Sequence, residues 1–298
     1  MTNNLVSERF LEVENKSNSS SIRHISNHEA NNSNYTKQQE HKQHSKHQQQ
    51  HHHQDQQPIP SRYNVNLQYD PITPEAGKET KLILSVTDQL FGDPIKEYEL
   101  LHDKLMHLII VGEDLTYFAH IHPVLEDNGE SFTISHIFPE SGRYKLWVDF
   151  KPKDENQTLV AFTIKVTGSP LHKPSTLVYD RKYTKESADG KYQVSLKVPK
   201  KIVANNDVDI VFSISDVVGN PVIDLEPLMG AGGHSVIISS DIREFLHVHP
   251  TQEVDPKWNG GPDISFRTNF PKPGLYKAWG QFQHQGNLLI ADFILEVI

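Results

Sequence analysis

The sequence predicts an all-β protein: two tandem immunoglobulin-like antiparallel β-sandwiches preceded by a disordered His/Gln-rich tail. Three observations predict it. Short apolar runs alternate with period two, as in Leu82, Leu84 and Val86 and again in Val208, Ile210, Phe212 and Ile214. Clusters of Gly, Pro, Asn and Asp separate the runs, and no long segment has helical periodicity. The pattern also occurs twice. Tyr63-Asn-Val-Asn-Leu-Gln parallels Tyr192-Gln-Val-Ser-Leu-Lys, and Gly92-Asp93-Pro94 parallels Gly219-Asn220-Pro221. Phe138-Pro139-Glu-Ser-Gly142-Arg-Tyr144-Lys-Leu-Trp147 parallels Phe270-Pro271-Lys-Pro-Gly274-Leu-Tyr276-Lys-Ala-Trp279.

Residues 1–60 are rich in Asn, Ser, Gln and His and too poor in apolar side chains to offset the entropy of ordering, so disorder is expected. Eight histidines lie there: His24, His28, His41, His44, His47, His51, His52 and His53. They form either a solvated tail or a loose metal-collecting arm. The first sandwich is expected over 61–167 and the second over 179–298. A linker over 168–178 is marked by Gly168-Ser-Pro170 and Pro174. About seven strands in roughly 110 residues suit an immunoglobulin-like sandwich. The Tyr of each Pro-x-x-Gly-x-Tyr turn is expected to tether a strand corner.

The 298 residues are enough for two cores. A net charge of −9 argues against nucleic acid as a partner. The absence of cysteine excludes disulfides, thiolate zinc sites and blue copper. No apolar run reaches the roughly 20 residues of a membrane span. The N-terminus lacks a basic start followed by an apolar stretch, so the default expectation is cytoplasmic.

The chemistry lies in a repeated histidine pattern. His107, His120 and His122-Pro123 recur 127 residues later as His234, His247 and His249-Pro250. Residues i and i+2 on a strand share a face. A hairpin turning at Gly112-Glu-Asp-Leu brings His107 beside them, provided that odd residues pair with even ones. Three imidazoles together suit a borderline transition metal. Possible extra ligands are His102, Met106 and Met229. A thioether would tilt the choice towards Cu(I), so copper is expected, with zinc as the alternative. Glu126 and Glu253, four residues after each motif, are possible outer partners of the ligands, as are Asp114 and Asp241; all four also suit turns and surface. Trp147, Trp279, Phe118 and Phe245 are expected in the core, and His136, His172 and His284 at the surface.

Lys104-Leu-Met-His-Leu-Ile-Ile-Val, Glu113-Asp-Leu, His120-Ile-His-Pro and Phe-Pro-x-x-Gly-x-Tyr-Lys resemble YtkA-like and related bacterial copper-handling β-sandwich domains. The resemblance covers residues 61–298. It implies metal handling in the cell envelope through the six motif histidines. The expected function is therefore a non-catalytic metal-binding protein for buffering, delivery or tolerance, with one His-rich site per sandwich. Its expected partners are the ion and a metal transporter or acceptor protein. Two alternatives stand. One is a bicupin-type metalloenzyme using His-x-His-x3-Glu; the other is an adhesive or interaction module.

Overall fold

The computed structural model describes residues 62–170, 177–187 and 190–298, together with the backbone of His51–His53. The expected tail otherwise lies outside the described residues, as does His172. The chain is all-β: the described residues contain strands and no helix.

In chain order the strands are β1 (His51–His53), β2 (Tyr63–Asp70), β3 (Glu79–Asp88), β4 (Tyr98–Glu99), β5 (Met106–Gly112) and β6 (Phe118–Ile121). Next come β7 (Val124–Leu125), β8 (Ser131–Ile137), β9 (Gly142–Pro152) and β10 (Thr158–Val166). The second copy comprises β11 (Thr184–Glu186), β12 (Tyr192–Lys197), β13 (Asp207–Asp216), β14 (His234–Ser239), β15 (Phe245–Val248), β16 (Asp263–Asn269), β17 (Gly274–His284) and β18 (Asn287–Val297). The first sandwich packs sheet β2-β3-β8-β7 against β10-β9-β5-β6, with β4 on β9. The second packs β11-β12-β13-β16 against β1-β15-β14-β17-β18. All ladders are antiparallel, in the strand order of immunoglobulin-like domains.

Period-two burial makes each core. On β3, Leu82, Leu84 and Val86 point inwards; on β13, Ile210, Phe212 and Ile214 do the same. Tyr144 and Tyr276 lie at the start of β9 and β17, and each donates its hydroxyl to a carbonyl four residues back, Glu140 O and Lys272 O, both at 2.9 Å. These are the expected tethered corners.

The strands β5 and β14 are buried on both faces. Met106, Leu108 and Ile110 face their own sandwich core, while Ile109 and Val111 face the other sandwich. A continuous apolar run such as Leu-Ile-Ile-Val is the sequence form of a strand covered twice. The two sandwiches fall within one compact unit and share a third core of Ile109, Val111, Leu115, Trp147, Val236, Ile238, Phe245 and Trp279.

That core repeats itself across a pseudo-twofold relation. Phe118 stacks on Trp279 at 4.8 Å and Trp147 stacks on Phe245 at 5.0 Å. Lys145 Nζ donates to Ile242 O, and Lys277 Nζ donates to Leu115 O, both at 2.8 Å. Leu115 and Ile242 hold positive φ, 60° and 54°, an unfavourable conformation for a β-branched Ile. The contacts between sandwiches offset that cost. Trp279→Ala is expected to cost about 3–5 kcal/mol, read as a lower urea midpoint. A shift under about 1 kcal/mol would mean that the sandwiches do not depend on this core.

Candidate metal centre

The hairpins form as the sequence predicts. Leu108 pairs with Ile121 and Ile109 with His120, so one step further in the same register His107 comes opposite His122. In the second copy Val236 pairs with His247 and Ser235 with Val248, which brings His234 opposite His249. Odd pairs with even in both, and the three rings of each motif share a face. It is the face that looks at the other sandwich.

The second motif gathers His234, His247 and His249 within its own sandwich, as expected, whereas His107 and His120 of the first converge with His247 across the interface, so the rings of both motifs adjoin in one cluster. The His107 and His247 ring centroids lie 5.4 Å apart, His120 and His247 5.3 Å, and His120 and His234 5.9 Å. His102, from the first sandwich, stacks on His249 of the second at 3.6 Å. Two sets have nitrogens all within 4.8 Å of one another: His234, His247 and His249, and His107, His120 and His247. The second set takes His247 from across the interface in place of His122.

The outer nitrogens are fixed. Before each motif strand lies a tight turn whose two central residues have positive φ, His102 and Asp103 in one copy and Met229 and Gly230 in the other. These turns present Leu101 O to His107 Nε2 at 2.8 Å and Leu228 O to His234 Nε2 at 3.0 Å. A carbonyl only accepts, so each of these Nε2 atoms carries the ring proton. His120 Nδ1–H donates to Gln281 Oε1 at 2.8 Å, and His247 Nδ1–H donates to Asp149 Oδ2 at 3.3 Å. Gln281 and Asp149 occupy equivalent places two residues after Trp279 and Trp147, and their ladder partners are His234 and His107.

The consequence is a set of buried lone pairs. His107 Nδ1 and His120 Nε2 lie 2.9 Å apart, and because Leu101 O takes the His107 Nε2 proton, His107 Nδ1 presents a lone pair there. Protonating either ring is unfavourable. Burial pushes His107 down to about 4 and His120 to about 3, the latter helped by the positive charge His107 would carry. Burial likewise takes His122 down to about 2 and holds His234 and His247 well below the usual imidazole value. His122 Nε2, His234 Nδ1 and His247 Nε2 are buried without a hydrogen-bond partner among the described residues. Unsatisfied buried nitrogens are costly, and several of them aimed at one place fit a cation held by neutral imidazoles.

Asp149 supplies the neighbouring carboxylate. Gln157 Nε2 donates to both its oxygens at 2.7 Å, and burial raises its pKa to about 7. A carboxylate on the far nitrogen of a ligating imidazole orients the ring and increases its basicity. Neither Asp149 nor Gln281 stood out in the sequence. The available signal was a polar residue two positions after a Trp, on the inward face of an otherwise apolar strand.

Several expected participants lie elsewhere. Met106 is wholly buried in the first sandwich core, on the opposite face of β5 from His107. The matching position before His234 is Gly233, where a Cβ would stand 2.7 Å from the Phe282 ring. Met229 lines a neighbouring cleft with Asp103, Pro227 and Trp258. Glu126 accepts from the Thr133 hydroxyl and pairs with Lys81, on the far sheet of its sandwich. Glu253 is exposed on the wall of a cleft. Asp114 and Asp241 cap their own hairpin turns through Thr116 and Arg243 backbone N–H groups. His284, expected at the surface, is buried between the Tyr192 hydroxyl at 2.7 Å and Asp224 at 2.9 Å. His136 is half-buried against the Tyr117 hydroxyl at 3.0 Å.

Comparison with solved structures gives distant likenesses. The Escherichia coli adhesin FdeC is 13% identical with a TM-score of 0.26, over 80% of this chain and 64% of that one. Red sea bream transglutaminase is 10% identical with a TM-score of 0.24, over 78% and 31%. The Yersinia pseudotuberculosis adhesin InvE is 9% identical with a TM-score of 0.24, over 78% and 58%. The chain spans less than two thirds of each. No curated protein matches it. Residues 57–168 and 186–298 each match the domain of unknown function DUF8832, so the chain belongs to that family as a tandem pair.

Proposed function

We propose that this protein is a non-catalytic binder of a transition-metal cation, held at one polyhistidine centre between its two sandwiches, and that it serves in metal buffering, delivery or tolerance. One observation carries this reading: His234 Nδ1 and His247 Nε2 lie buried with no hydrogen-bond partner among the described residues, their other ring nitrogens being committed to Leu228 and Asp149, and they belong to converging imidazole sets. Met106 lies in the core and Met229 in a neighbouring cleft, so the converging donors are all imidazole nitrogens. Such a set suits Cu(II) and Zn(II), and the general order of affinities places copper above zinc. Copper is therefore the proposed ion, as Cu(II), and zinc is the alternative. The resemblance to copper-handling sandwich domains supports the same choice. A metal transporter or acceptor protein is the proposed partner.

The bicupin alternative would use Glu126 as a ligand, and Glu126 is engaged with Thr133 and Lys81. The interaction-module reading needs no tight metal, and binding measurements separate it from ours. Calorimetry of the full chain with Cu(II), Zn(II) and Cu(I) is expected to show a tight class beyond the weak binding of the tail histidines. That class should vanish in a His107→Ala/His120→Ala/His247→Ala variant. Free ion at a hundredfold the Kd should stabilise the fold by about 2.7 kcal/mol, a rise in Tm of roughly 5–10 °C. An unchanged Tm with every ion would overturn the reading.

A further inference from the structure

The two converging sets share one residue, and this bears on how many ions the centre holds. His247 belongs both to the set with His234 and His249 and to the set with His107 and His120. Its Nδ1–H is committed to Asp149, so it has a single nitrogen, Nε2, to give. One imidazole nitrogen binds one ion. Two dications so close together in a buried pocket would also repel strongly. Resting on the metal-binding reading above, the geometry points to two mutually exclusive stations for a single ion, with His247 as the pivot ligand that stays bound as the ion passes between them.

Access distinguishes the stations. A cleft of about 440 Å³ reaches the centre through His102, His247 and His249, with Pro250 and Glu253 on its wall. His107, His120 and His122 do not line it. An ion arriving here meets His249 and His247 first, beside the His102 ring stacked on His249. The second station lies across the interface, where His107 Nδ1 and His120 Nε2 stand 2.9 Å apart and neither ring lines the cleft. An ion there is held by His107 and His120, and so is shielded from the cleft's mouth. The cleft station loads, and the station across the interface retains. Each step exchanges one imidazole nitrogen for another on the ion, with no change in oxidation state and no net proton release.

The test uses the full chain and Cu(II) supplied in a glycine buffer, which outcompetes the weak tail histidines. Titration should show one tightly held ion per chain. Rapid-freeze electron paramagnetic resonance should show two Cu(II) spectra in succession. His249→Ala should slow loading at least about tenfold and still reach the second spectrum. His120→Gln should keep the fast phase, lose the second spectrum and weaken final affinity at least about tenfold. Two tightly held ions per chain, or one spectrum from the earliest time, would overturn the relay while leaving metal binding intact. Both are read on the unmodified protein, so a variant that misfolds does not blunt the test. No tight copper at all would instead remove the metal-binding reading beneath it.

Discussion

His247→Ala is expected to lower the proposed Cu(II) affinity by more than about a hundredfold, the largest single loss at this centre. Changing a residue that only orients a metal ligand typically costs about 10–100-fold, and His247 is itself a donor in both converging sets. Asp149→Asn should fall within that 10–100-fold range, because Asp149 touches His247 and would not touch the proposed ion. Gln281→Ala should cost less than Asp149→Asn, since a neutral amide enhances the basicity of His120 less than a carboxylate enhances that of His247. Competition titration with a chelator of known affinity reads all three. If His122→Ala proves as damaging as His247→Ala, the ion sits within the first sandwich and the cross-interface assignment fails.

The second large effect is acid lability of the metal-free protein. His107 and His120 have folded pKa values of about 4 and 3, against about 6.5 unfolded, with burial as the first cause in both. The sign follows from proton binding. Between these values the unfolded chain takes up protons that the folded chain refuses, so stability is fully present above about pH 6.5 and drains away as pH falls towards 4. Each tenfold difference in proton affinity corresponds to about 1.4 kcal/mol, so the wholly buried His107 alone contributes on the order of 3 kcal/mol. Asp149 works in the opposite direction. Its pKa is raised to about 7, so acidification relieves a charge that burial disfavours. One carboxylate does not offset five depressed histidines. Urea unfolding of chelator-treated protein at pH 7.5, 6.0 and 4.5 should give steadily falling stability. A flat or rising series would show that the rings are not buried neutral.

The hairpin was legible where it depends on local rules. The interval from His107 to His120 contains a turn and the His-x-His spacing fixes a common face, but the pairing parity was not legible, because β5 is a continuous apolar run buried on both faces and carries no alternation to set the register. The Phe-Pro-x-x-Gly-x-Tyr corners were legible as local features, since each is closed by a hydrogen bond four residues long. The carboxylate was not. Glu126 and Glu253 were read from sequence proximity, whereas Asp149 reaches His247 from 98 residues away and from the other sandwich. His284 was misplaced because its partners, Tyr192 and Asp224, are 92 and 60 residues distant.

The sequence by itself determined two all-β copies and the shared face of each His-x-His pair, because period-two side-chain direction and turn chemistry act over a few residues. Only the tertiary structure decided that both histidine faces look inwards at each other. That outcome depends on Trp147, Phe245, Phe118 and Trp279 stacking in crossed pairs to bury a second face of β5 and β14. Docking of this kind is driven by apolar area, which has no direction along the chain, so motif copies that read as two separate sites come to adjoin in one cluster.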